Sequence, residues 1–74
     1  MIELNKKEKI ERIKLFLEEK TYTYIQDIYD YHFNGFIKEI DNTKIIFLDD
    51  VLGKIPIMIS AIKIINYSNK RKNE

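Results

Sequence analysis

Cysteine and tryptophan are absent from this chain of 74 residues, histidine and proline occur once each, and glycine occurs twice. Without cysteine there are no disulfides and no thiolate metal sites, and His32 alone cannot close the four-ligand shell of a structural zinc. A chain this short buries only about 60% of the surface that its unfolded form exposes. With disulfides and metal excluded, self-association is the remaining support for so small a core. No apolar stretch reaches the ~18 residues of a membrane-spanning helix, and the opening "MIELNKKEKI" lacks the apolar segment of a secretion signal. The expected location is the cytoplasm. Thirteen basic against twelve acidic side chains leave a net charge of +1. That balance excludes a broadly basic nucleic-acid-binding surface and restricts any such contact to a local one.

From Asn5 to Lys20 the chain has no glycine, proline or β-branched run, and Ile10, Ile13 and Leu17 recur at helical spacing with Phe16 beside them. Asn5 stands where a helix cap belongs, and Glu8 follows at the position of a capping-box carboxylate. Lysines and glutamates alternate over the remaining face, which reads as solvated surface. After Thr21 the composition shifts to tyrosine, threonine and isoleucine, the residues of a half-buried pleated surface. Strands are expected over residues 22–29, 32–40, 44–49, 54–59 and 63–67, joined by short turns. Gly35 inside the second strand predicts a bend or bulge, and Pro56 in the fourth predicts a sheet edge. The fold expected is mainly β with an N-terminal helix over 5–20. Its five antiparallel strands form a strongly bent, SH3-like barrel, a single domain over 1–68 followed by a polar, disordered tail over 69–74.

Little in the chain is suited to catalysis. His32 lies between Tyr31 and Phe33 with no serine or cysteine partner, and Asp49 and Asp50 are adjacent in extended geometry, so they point apart. No catalytic residue, metal site or cofactor is expected. Tyr22, Tyr24, Tyr29 and Tyr31, with Phe33 and Phe36, form the one aromatic cluster; it suits either stacking on bases or walling the sheet. "KIPIMISAIKII" is apolar at nearly every position, so its edge and faces require cover.

One helix followed by five short strands, with "FNG" around Phe33 and Gly35, Ile37 two residues on, Asp41 six residues after the glycine, the run "IIFL" and then "GKIPIMISAIKII", resembles the Sm-like superfamily. That superfamily includes the Sm and LSm proteins and bacterial Hfq. The resemblance implies a homo-oligomeric ring, hexameric or heptameric, in which the fourth strand of one subunit pairs with the fifth of the next. Ile55, Ile57, Ile59 and Ile64 would then line the subunit contact. It also implies single-stranded RNA as partner, held by Asn42, Thr43 and Lys44 of the loop after the second strand and by Met58 and Ser60 near the turn after the fourth. Thr43, Ile45 and Met58 depart from the residues that Sm proteins use to hold uracil, and "DNTKIIF" is closer to Hfq, although Ile59 and Ser60 stand where Hfq has a lysine-histidine pair. An oligomeric scaffold without RNA binding, or a monomeric SH3-like barrel docking on a protein, stays open on this reading.

Overall fold

The structure, a computed structural model, describes residues 4–69. Helix α1 spans Lys6–Glu18. At its start Asn5 Oδ1 accepts a hydrogen bond from Glu8 N at 2.9 Å, while Asn5 N donates to Glu8 Oε1 at 3.1 Å. This capping box satisfies amides that have no partner within the helix. At its end the chain turns through Lys20, whose φ of 54° is left-handed, a place that glycine more often fills.

Five strands follow: β1 (Thr23–Asp27), β2 (His32–Ile40), β3 (Lys44–Asp49), β4 (Gly53–Met58) and β5 (Ile62–Tyr67), with a 3-10 turn at Ile59–Ala61 between the last two. They form one antiparallel sheet in the order β4-β3-β2-β1-β5. The second and third strands begin and end where the sequence places them; the others shift by a residue or two. The expectation of a barrel needs correction. Among the described residues β4 and β5 lie at opposite edges and do not pair, so the sheet is not closed. One face is instead covered by α1, which packs on β2, β5 and the 3-10 turn. Arg12 Nη1 donates to the Ile65 carbonyl at 3.1 Å, and the rings of Phe16 and Tyr67 lie 4.9 Å apart.

Strand β2 serves both halves of the sheet. Its start pairs with β1 and its end with β3, and Gly35 faces Thr23 on one side and Asp49 on the other. A side chain there would have no room, because a Cβ on Gly35 would overlap the Leu48 carbonyl oxygen and sit 2.8 Å from its carbon. The predicted bulge lies three residues further on. Lys38 is the extra residue between the pairs Ile37–Phe47 and Glu39–Ile46, which tightens the local twist. Pro56 is on edge strand β4, as its missing donor requires.

Alternate residues point inward. Ile25, Ile37, Ile45, Phe47 and Ile57 meet Ile13 and Phe16 of the helix in one core, and Thr23 is also buried. In β5 the buried pair is Ile62 and Ile65, three apart rather than two. A register shift that leaves Lys63 as the extra residue opposite Gln26 and Asp27 accounts for this spacing.

Each hairpin turn is tied by an aspartate. Asp27 Oδ1 accepts from the amides of Tyr29 and Tyr31 at 2.9 and 3.0 Å. Asp41 Oδ1 accepts from those of Thr43 and Lys44 at 2.8 and 2.9 Å. Asp49 accepts from Asn34, Val51 and Leu52 at 3.1, 2.9 and 2.9 Å. Short carboxylate side chains bonding forward to nearby amides are a common way to close such turns.

Candidate functional site

Register decides where a site can form. Lys44 opens β3 opposite Met58, the last residue of β4, so the loop before the one and the turn after the other leave the sheet together. Ile59 N donates to the Thr43 carbonyl at 2.8 Å and binds the two segments to each other. Between them lies a cleft of about 400 Å³, near the lower bound of roughly 300–1,000 Å³ for small-molecule sites. Asn42 and Thr43 form one wall, and Met58, Ile59 and Ser60 the other. The start of α1 adds Lys6 and Lys9.

Four of the five residues expected to contact RNA therefore share one cleft. Lys44 does not line it. Its ammonium lies 2.8 Å from Asp41 Oδ2, and this contact first, the Thr43 and Lys44 amides second, holds the Asp41 carboxyl far below the usual carboxylate range. The same hydrogen bond raises the Lys44 pKa. Thr43 also spends its hydroxyl locally, donating to Asp41 Oδ1 at 3.2 Å. Asn42 and Ser60, by contrast, make no side-chain hydrogen bond among the described residues, and no carboxylate lines the cleft. It offers an amide, a hydroxyl, an apolar floor and two cations.

Lys6 and Lys9 were not legible as site residues. On the helix they read as part of a mixed-sign solvent face, and only the tertiary fold brings them beside residues some fifty positions away in the chain.

The expected interface residues divide. Ile57 and Ile59 are 6% and 3% exposed and belong to the core of the single chain, so their side chains are not available to a neighbouring subunit. Ile55 is partly buried at the edge of that core, and Ile64 is half-buried on edge strand β5. The continuous apolar run concealed which residues point inward.

The aromatic cluster is dispersed. Tyr22 packs on Phe36 with ring centroids 5.4 Å apart and donates its hydroxyl to Asp50, which pushes its pKa up to about 12. Tyr24 meets His32 Nδ1 at 2.6 Å, and Phe33 packs against the core. Tyr29 is 72% exposed in the first turn, with Tyr31 also exposed, and Val51 is 81% exposed in the third, beside Leu52. Among the described residues no group of three or more histidines and carboxylates could hold a metal ion, and no helix is long and apolar enough to cross a membrane. No family model matches the chain, and no curated protein matches its sequence.

Proposed function

We propose that the chain is a cytoplasmic Sm-like protein, a binding protein rather than an enzyme, whose copies assemble into a homo-oligomeric ring of six or seven subunits. The ring holds single-stranded RNA in the cleft between the 41–43 loop and the 59–61 turn. The observation that carries this reading is the convergence of Asn42, Thr43, Met58 and Ser60 in one carboxylate-free cleft, with the Asn42 amide and Ser60 hydroxyl free to meet a base edge.

Assembly is supported by the edges. The outer edges of β4 and β5 pair with no other strand among the described residues, although Arg12 already takes the Ile65 carbonyl on β5, and such edges are sites of intermolecular pairing unless covered. Joining β4 of one copy to β5 of the next covers both at once, and a head-to-tail contact of this kind closes into a ring when its rotation permits. Ile55 and Ile64 flank that contact.

A second reading, a scaffold or protein-interaction domain without RNA binding, is favoured by the other end of the hairpins. There Tyr29, Tyr31, Val51 and Leu52 are exposed on turns braced by Asp27 and Asp49. Fluorescence anisotropy of oligouridine and oligoadenine over a salt series separates the two. With a net charge of +1, a local site makes few phosphate contacts, so affinity falls only gently with salt. Asn42→Ala weakens binding while light scattering still reports the oligomer. Absence of binding at near-physiological salt, or binding that vanishes when Lys70, Arg71 and Lys72 are deleted, rejects the RNA reading in favour of the scaffold.

A further inference from the structure

Base contacts leave the two cations of the cleft unaccounted for. Lys6 and Lys9 are three residues apart on α1, so their side chains project from the same face. Among the described residues neither is in an ion pair, whereas Lys44 is held by Asp41 and Lys63 lies 3.8 Å from Asp30. The adjacent carboxylates are committed elsewhere, Glu8 to Asn5 N and Asp41 to the turn and Lys44. Lys6 and Lys9 both line the cleft, while the Glu8 amide of the helix terminus is already taken by Asn5.

From this arrangement we propose that the cleft binds a nucleotide bearing a terminal phosphomonoester, its phosphate between Lys6 and Lys9 and its base over Met58, within reach of Asn42 and Ser60. The inference rests on the RNA reading of the same cleft and adds which part of the nucleic acid the helix recognises. Charge favours a monoester. Near neutral pH its phosphate carries about −1.5 to −2, which two uncommitted ammonium groups match, whereas a backbone diester carries a single charge. Size agrees: about 400 Å³ suits one nucleotide rather than a run of stacked bases. A free mononucleotide and a phosphorylated RNA end share this chemistry.

Isothermal titration calorimetry on the full chain tests it with uridine 5′-monophosphate, uridine, inorganic phosphate, and oligouridine with or without a terminal 5′- or 3′-phosphate. The expected result is that the monophosphate binds at least about tenfold more tightly than uridine or phosphate alone, the loss of a charge-assisted hydrogen bond being worth that much. Lys6→Gln with Lys9→Gln abolishes the difference, and circular dichroism shows the helix intact, since glutamine is a good helix former. A gain from the terminal phosphate on oligouridine identifies an RNA end as a source; a gain confined to the mononucleotide identifies the free ligand. Equal binding of uridine and its monophosphate, phosphate binding as tightly as the nucleotide, or a preference that survives the double substitution overturns the proposal. If oligouridine binding depends on Asn42 but not on the lysines or the end group, this inference fails and the RNA reading stands. If the mononucleotide binds through the lysines and no oligouridine binds, the RNA reading fails instead.

Discussion

Replacing Gly35 by alanine adds one methyl group at a crowded backbone crossing in the sheet. The new Cβ would overlap the Leu48 carbonyl oxygen and lie 2.8 Å from its carbon and 3.1 Å from the Asp49 Cα. All three atoms are backbone, so no flexible side chain can move aside, and β2 and β3 must separate around the pairs Gly35–Asp49 and Phe36–Leu48. Overpacking costs about 1–3 kcal/mol, and each ladder hydrogen bond weakened adds about 1 kcal/mol. A total of about 3–5 kcal/mol is expected. For 74 residues the whole stability is about 4–11 kcal/mol at roughly 0.05–0.15 kcal/mol per residue, so the variant is at the limit of folding. Urea titration at one fixed protein concentration measures the effect. With a slope of about 1 kcal/mol per molar, the midpoint falls by about 3 M or more. Gly53→Ala is the control. Gly53 has φ 80° but open space around its Cβ position, so only backbone strain of about 1–2 kcal/mol is expected. A Gly35→Ala midpoint within about 0.5 M of the parent would refute the close-approach argument and leave β2 without its required glycine.

Asp49→Ala removes the acceptor of three backbone amides, one from Asn34 of β2 and two from the turn, and should cost about 3 kcal/mol at about 1 kcal/mol per bond, read as a urea midpoint shift. Ile57→Lys places a charge in the core and should unfold the subunit, whereas Ile64→Lys on edge strand β5 should leave a folded monomer by circular dichroism and light scattering. A stable, oligomeric Ile57→Lys protein would contradict the inward placement of that residue. Tyr22 binds its proton more tightly folded than unfolded, so its contribution is complete below pH 10.0 and is lost as pH rises toward about 12. In Tyr22→Phe that alkaline slope should shrink to the part that Lys44, also raised by its Asp41 partner, contributes, and an unchanged slope would show that the Asp50 contact is not made in solution.

Much of the fold was legible because its causes are local. The capping box at Asn5 and Glu8, the change from helical to alternating pattern after Thr21, and the placement of Pro56 at an edge each follow from a few neighbouring residues. What was not legible depends on pairing across the sheet. In "KIPIMISAIKII" every phase of alternation looks apolar, so only the register could show that Ile57 and Ile59 face the core while Ile64 does not. The bulge at Lys63 then shifts the phase again. Asp27 carries the same turn-closing role as Asp41 and Asp49, and its signal was an ordinary aspartate at the end of a tyrosine-rich strand. At the candidate site the loop residues were read from a resemblance, and the helix contribution of Lys6 and Lys9 required the three-dimensional arrangement.

Photo-crosslinking of oligouridine containing 4-thiouridine, with the attachment points mapped by mass spectrometry, tests the proposed RNA site most directly because it reports which residues lie against the base. The account predicts crosslinks in the peptides carrying Asn42 and Thr43 and in those carrying Met58 and Ser60, with loss of both in Asn42→Ala and no change in oligomer mass. Crosslinks confined to the end of the sheet around Tyr29, Tyr31 and Val51, or to the segment of Lys70, Arg71 and Lys72, would contradict it.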